Sequence, residues 1–488
     1  MLIKVYLDSI IIQLILPLNN TDNVGVSLHF CNKNRRCYMA TKKEIKEILN
    51  LALPAVGEML LYMVVWVIDT MMVGQFGGKD SVSAVGLASE IIYTFSNIFV
   101  AMGISIGVTS YVARSIGAKD FETAKKYASQ GILLGTIVAI IISLILFAFA
   151  ENFLIIASAT GNVLFLGKIY IKIASIGIFF NMLMNVLNAV LRAQGNTKTP
   201  MIAASIVIFI NILLDWILIF GKLGFPALGV KGSAIATTIA QFSGFIFIML
   251  YYFNQKILNI DLFDIINFDK QIIVKILKLA LPASLQEGSF DISRLISIFM
   301  IMHLGTVAFA ANQIATTIES ISFMPGWGFA VAATTMAGQM VGAKNYESAK
   351  RYTNIAAFFA VAIMGTMSIL FLTIPYPLMR AFIKDTDVIA VGILCLMVAS
   401  IEQPFMAVGM VYGGGLKGSG NTKTPFIIST ISSWFIRLPL MYIVIYILNL
   451  GVVYVWFVTA IQWAFEGSIM YIYFRKEIDK LKRGVRNI

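Results

Sequence analysis

Charge is scarce in this chain. Only 13% of its 488 residues are Asp, Glu, Lys or Arg, and 59% are hydrophobic, whereas soluble domains carry about 25% charged residues. So much apolar surface cannot be withdrawn into one water-surrounded core, and the chain is expected to face lipid. Histidine is nearly absent: His29 and His303 are the two, and neither stands in a recognisable constellation with a nucleophile or a metal ligand. That argues against an enzyme, and no cofactor is expected. Three cysteines, Cys31, Cys37 and Cys395, make neither a disulfide framework nor a ligand cluster. A formal charge of +12 would point to nucleic acid in a soluble protein. Here the basic residues flank long apolar runs, and no nucleic-acid partner is expected.

What the chain does have is a repeat. LRAQGNTKTPM at Leu191 returns as LKGSGNTKTPF at Leu416, and IGAKDFETAKKY at Ile116 returns as VGAKNYESAKRY at Val341, both 225 residues on. LALPA at Leu51 recurs at Leu279 after 228 residues. Three segments repeated in the same order are an internal duplication.

A membrane-crossing helix needs about 20 mainly apolar residues. That rule yields twelve, spans 1 to 12 in order, at roughly 50–74, 84–112, 126–150, 163–193, 200–220, 231–252, 274–302, 308–341, 352–375, 387–414, 425–447 and 452–474. The expected fold is therefore an all-α integral membrane protein. Its two six-helix bundles should be related by a pseudo-two-fold along the membrane normal, because an even number of spans leaves both repeats in one orientation. The domains are an N-terminal extension at 1–44, an N-lobe at 45–253, a cytoplasmic linker at 254–273, a C-lobe at 274–474 and a basic tail at 475–488. Within the extension, Ile10–Leu18 is apolar but too short to span, so it is expected to be disordered or a misassigned start. Lysine and arginine crowd the loops after spans 2 and 8 (Arg114, Lys119, Lys125, Lys126; Lys344, Lys350, Arg351), both GNTKTP loops and the tail. By the positive-inside rule both termini are cytoplasmic, in a multi-pass cell-membrane protein expected to be a monomer. GNTKTP reads as a tight helix–helix turn with no ligand, glycine ending one helix and proline opening the next.

Carboxylates inside lipid-spanning segments cost about 2.5–3.5 kcal/mol each and default to functional candidates. Asp69 lies late in span 1, fifteen residues beyond Pro54. Asp215 in span 5 has Asn211 four residues before it, which puts an amide and a carboxylate on one helical face. Thr237 or Thr238 in span 6 can add a hydroxyl. Such an all-oxygen set suits a proton or a hard monovalent cation such as Na+. The second repeat does not copy it: Asn211 maps onto Ile436 and Asp215 onto Leu440. Other acids lie in the second half. Glu287 and Asp291 stand one turn apart in span 7, with Arg294 beyond them, open either to an intrahelical Asp291–Arg294 pair or to substrate binding. Glu319 precedes Pro325 in span 8, and Glu402 sits beside Pro404 in span 10. Tyr62, Trp66, Phe323 and Trp327 lie near these points and can line a cavity for flat cations.

Taken together, LALPA with VIDTMMVGQFG, the SIGAKD and VGAKN loops, both GNTKTP turns, NILLDWILIFG and SFMPGWGFAVAATTMAGQMVGAKN resemble the multidrug and toxic compound extrusion (MATE) family over about residues 45–475. The resemblance implies a twelve-helix, two-lobed antiporter that exports organic cations and amphiphiles against inward H+ or Na+. It implies that Asp69, Asn211, Asp215 and Thr237 form the cation-coupling site of the DinF-like branch, with span 1 bending at Pro54 to expel substrate. The NorM-like branch has a span 7 glutamate eight residues past the proline, where this chain has Phe290, and Glu402 lies about a turn earlier than that branch's span 10 aspartate. These departures argue against an ion site in the C-lobe. The runner-up reading is a flippase for a lipid-linked saccharide, which would want an arginine-rich cavity. Only Arg294 and Arg437 are buried candidates for one.

Overall fold

The computed structural model describes residues 29–31, 37–254, 258 and 262–484. Much of the expected extension, 1–28 and 32–36, lies outside the described residues. Within it, His29–Cys31 pairs antiparallel with Cys37–Met39, Cys31 opposite Cys37. Among the described residues after Met39, all the regular elements are helical.

The element Lys42–Ser96 contains span 1 and the start of span 2, broken at Gly78, whose positive φ of 65° admits a turn that a side chain would resist. Span 2 continues through a π-helical Asn97–Ile104 into Ser105–Gly117. Spans 3 to 6 are Phe121–Ala148, Gly161–Ala193, Lys198–Phe220 and Val230–Asn254. Spans 7 to 10 are Lys270–Met302, Thr306–Gly342, Tyr346–Thr373 and Thr386–Gly418. Span 11 runs from Lys423 to Ile447 with two π-helical stretches, and span 12 is Val452–Lys482. Twelve spans in two sets of six are as expected. Ten are long and apolar enough to cross a membrane by composition alone. The other two, spans 7 and 8, fall short because they carry the polar residues that face the opposite lobe and the C-lobe interior. Large apolar side chains such as Phe209, Leu250, Phe299, Ile369 and Phe435 are more than half exposed on the outer surface, as a lipid-facing surface requires.

Local chemistry explains the helix ends, and it repeats. Thr41 opens span 1 in a capping box with Glu44. Asp120 accepts from Thr123 N (3.0 Å) to start span 3, and its twin Asn345 accepts from Ser348 N (3.1 Å) to start span 9. In the GNTKTP turns, Gly195 and Gly420 take φ of 88° and 93°, and Asn196 and Asn421 accept from Thr199 N and Thr424 N. The basic tail continues span 12 as far as Lys482. Lys482 reaches Glu347 (2.8 Å) and Asp479 accepts from Lys350 (2.5 Å), tying its end to span 9.

The lobes meet chiefly where spans 1 and 2 pack against spans 7 and 8, and several hydrogen bonds between them lie at the GNTKTP end. Ser110 donates to Gly418 O (3.2 Å), Thr335 to Arg192 O (3.1 Å) and Gln339 to Ala193 O (2.8 Å). The packing also exchanges ends between lobes. Ile48, Leu51 and Ala52, in the first turns of span 1, belong to the C-lobe core, and Ile273 and Ile276 of span 7 belong to the N-lobe core.

Candidate cation-coupling site

Asp69 and Asp215 are brought together inside the N-lobe, 8% and 0% exposed, within hydrogen-bonding reach of each other. Ser233 Oγ, on span 6, donates to Asp69 Oδ1 at 2.7 Å. Asn211 Nδ2, 2% exposed, donates to Thr237 Oγ1 at 3.4 Å. The helical spacing of Asn211 and Asp215 delivers both to the same interior, so the four residues singled out in the sequence share one neighbourhood. Two more polar groups join them. Ser233 is one turn before Thr237, and Tyr170 of span 4 accepts from Ser89 Oγ (3.3 Å) with its hydroxyl beside Thr237 and the two acids.

Both Asp215 oxygens are buried without any donor, and no basic side chain among the described residues acts on either carboxyl. A bare buried carboxylate costs several kcal/mol, and two in contact cost more. The arrangement is tolerable only with a proton shared between the acids or a small cation taken by their oxygens. The donor set of carboxylates, amide and hydroxyls contains no nitrogen base or sulfur, which suits a hard monovalent ion.

Pro54 lies inside an element whose single non-helical residue is Gly78, so span 1 is unbroken there. Proline cannot bond the carbonyl four residues back. That carbonyl, Asn50 O, lies 3.5 Å from Thr197 Oγ1 of the first GNTKTP turn, which gives the turn a part in holding span 1.

An apolar groove of about 400 Å³ between spans 1 and 8 is lined by Leu60, Met63, Val64, Ile68 and Ile321. Tyr62 is one turn from Glu58 and lies on another face, its buried hydroxyl beside the Glu58–Arg192 pair and without a partner. Phe323 and Trp327, also one turn apart, meet edge to face with centroids 6.0 Å apart, and Phe323 packs on the C-lobe core. The Trp66 side chain lies outside the described residues. Asp291 pairs with Arg294 within span 7 (3.6 Å), and Arg294 also reaches Glu90 of the other lobe (3.2 Å). Glu287 is buried where the charges of Lys417, Asp291 and Glu466 act on it. In the C-lobe a second acid pair has formed. Glu319 accepts from Gln403 Nε2 (3.0 Å), Ser322 donates to Gln403 Oε1 (2.6 Å), and the buried Glu402 touches Glu319 with its own Oε2 lacking a donor.

The Glu58–Arg192 pair, 2.5 Å long and 1% and 13% exposed, joins spans 1 and 4 near the seam between the lobes. Removing one partner of a buried pair costs about 3–5 kcal/mol, whereas removing both costs far less. Arg192→Met is therefore expected to lower the thermal midpoint of the detergent-solubilised protein sharply. Arg192→Met combined with Glu58→Gln should recover most of the loss.

Two six-span lobes closed on each other at one end, with a buried acid pair inside one of them, define a multi-pass membrane carrier and not an enzyme. The chain belongs to the MatE family, whose model matches residues 54–217 and 282–443, one segment in each lobe. It is 29% identical over 429 residues to a probable multidrug resistance protein NorM of Thermotoga maritima, covering 88% of this chain and 92% of that protein. It is 26% identical over 435 residues to the transporter YisQ of Bacillus subtilis, covering 88% and 94%. Among solved structures it matches a MOP superfamily transporter from Pyrococcus furiosus and an outward-facing multidrug resistance MATE transporter. Each aligns with a TM-score of 0.83 at 24% identity, over 90% of this chain and 97% of the other. These two matches speak to the fold.

Proposed function

We propose that this protein is a secondary multidrug efflux antiporter of the cell membrane, exporting organic cations and amphiphiles in exchange for H+ or Na+. The coupling ion binds at Asp69, Asn211, Asp215 and Thr237, the N-lobe arrangement of the DinF-like branch, with Ser233 and Tyr170 completing the shell. One observation carries this reading: Asp215 presents two buried oxygens without a donor to a second buried acid, with no basic side chain among the described residues to neutralise them. The relatives named for multidrug resistance support the choice of cargo.

With both termini and the GNTKTP turns in the cytoplasm, a protein sealed at that end faces outward. An ion entering from outside neutralises the acid pair, span 1 yields at Pro54, and cargo is released outward. The ion-loaded carrier then reopens to the cytoplasm. A single bound ion can do this only through its different affinity for the two states.

The test is ethidium transport by the purified protein, as a monomer, in liposomes with H+ and Na+ gradients imposed separately. One of the two gradients is expected to drive ethidium against its own gradient. Transport indifferent to both would overturn the coupling assignment.

A further inference from the structure

A line of polar side chains joins the coupling site to the GNTKTP end of the N-lobe. It starts on span 6, where Ser233 donates to Asp69 and Thr237 accepts from Asn211. Gln241, one turn beyond Thr237, accepts from Asn181 Nδ2 of span 4 at 2.8 Å. Asn181 Oδ1 in turn accepts from Asn185 Nδ2 (3.0 Å) and from Ser96 Oγ of span 2 (3.4 Å). Asn188 and Arg192 follow on the same face, so span 4 carries Asn181, Asn185, Asn188 and Arg192 at spacings of four, three and four residues. That stripe is about 16 Å long, and it ends just before Gly195 of the first GNTKTP turn.

The lower part of the line is unsatisfied. Asn188 is 0% exposed, and neither its amide nitrogen nor its oxygen has a partner among the described residues. At the foot, Arg192 is bound to Glu58 of span 1 at 2.5 Å. Yet Arg192 Nε, Glu58 Oε2 and the hydroxyl of Tyr62, one turn beyond Glu58, are also buried without partners. Buried polar atoms are as a rule hydrogen-bonded, to solvent where the protein offers nothing. Five of them at one level make a passage that water, and a small cation carried by it, can enter. Glu58 stands one turn beyond Pro54, and Asp69 three turns beyond Glu58. A bend at Pro54 that carries Asp69 therefore also draws Glu58 off Arg192.

We infer that Glu58 is the release station of the coupling ion: the ion leaves Asp69 and Asp215 along the amides of span 4 and reaches the cytoplasm through Glu58 once Arg192 lets go. While the pair is closed, the guanidinium occupies the carboxylate that a cation would need and repels one that approaches. When it opens, Glu58 becomes an acceptor, and the amide oxygens of Asn185 and Asn188 can stand in for part of an ion's hydration shell as it passes. The route is then open only when span 1 has bent, which keeps the ion from leaking through the resting protein. This rests on the antiport reading above, and its test separates the two.

The test is ethidium turnover in proteoliposomes under a gradient of whichever ion, H+ or Na+, drives the wild type. Asn188→Leu fills the line with an apolar side chain of similar size and removes two unsatisfied atoms, so the protein should fold at least as firmly as the wild type. Its turnover is expected to fall at least about tenfold, because a cation crossing an apolar plug must shed its water. The half-saturating concentration of the driving ion should not rise. Asn188→Ser, which keeps the line polar, should turn over at nearly the wild-type rate. Glu58→Gln combined with Arg192→Met, in which most of the stability is expected to return, should be as slow as Asn188→Leu. Wild-type turnover in Asn188→Leu overturns the inference, and so does a raised half-saturation, which would place the fault at the coupling site. An Asn188→Ser protein as slow as Asn188→Leu, or a double variant that regains turnover along with its stability, overturns it as well, since either makes the role structural. A wild type driven by neither gradient would instead sink the antiport reading itself.

Discussion

Asp215→Asn is expected to give a protein that resists heat better than the wild type and pumps nothing. Both oxygens of Asp215 are buried with no donor, against a second carboxyl. An unsatisfied buried acceptor costs about 1–3 kcal/mol, and a charged one more. An asparagine side chain has nearly the same shape, carries no charge and can donate its amide to Asp69, so the folded state gains on both counts. The thermal midpoint in detergent, measured with neither a pH change nor added sodium, should rise by several degrees. Transport should fail for the same reason. With one acid left there is no carboxyl pair to share a proton or hold a cation between them, so the difference in ion affinity that drives the conformational cycle is gone. Gradient-driven ethidium transport should drop to that of empty liposomes while the protein still reaches the membrane. Asp69→Asn should lose transport likewise, with a smaller gain in stability because Asp69 already accepts from Ser233. Ser233→Ala removes one hydrogen bond of about 1 kcal/mol and should weaken ion affinity without ending transport. A stabilised Asp215→Asn protein that still pumps would show that the acid pair is structural.

Much of this architecture is legible from the chain alone, because it lies in periodicity and repetition. The offset of 225 residues announces two lobes, and the four-residue spacing of Asn211 and Asp215 announces one polar face. Helix ends expected from hydropathy fall too far inward where capping residues precede a charged first turn, as at Asp120 with Glu122 and Lys125, since an apolar window trims such turns away. Ser233 and Tyr170 escape notice because hydroxyl residues are common in membrane helices and carry no signal of their own. One clue is available: Ser233 precedes Thr237 by one turn. The Glu319–Glu402 pair is hidden because it joins spans 8 and 10, and no spacing within a single helix encodes a contact between two. The groove between spans 1 and 8 is lined by aliphatic residues, which carry no signal in a sequence rich in them.

Gly117→Ala and Gly342→Ala should each force the lobes apart at the GNTKTP end. A methyl group on Gly117 would stand 1.9 Å from Gln339 O, and one on Gly342 would stand 1.9 Å from Arg114 O. The obstructing atoms are backbone carbonyls of the opposite lobe, which no rotamer change can move aside. Overpacking of this kind costs about 1–3 kcal/mol, and here the cost falls on the sealed state alone, because the contact exists only while the lobes touch. A bias of that size shifts a two-state equilibrium about 5–150-fold. Spin labels on cysteines placed at Lys119 and Lys344, in the twin turns beside these glycines, report the separation directly in a protein whose own cysteines have been replaced. The wild type should show a short distance that lengthens in either alanine variant, and ethidium export should fall because the sealed state is under-populated. The pseudo-two-fold sharpens the test: each glycine faces the other helix in the same way, so the two variants must behave alike. Gly86→Ala and Gly365→Ala, where an added methyl meets nothing within 4 Å, should leave the distance unchanged. If only one seam glycine mattered, the crossing would not be the symmetric contact that the duplication built, and the seal would have to be sought in the hydrogen bonds of Ser110, Thr335 and Gln339 instead.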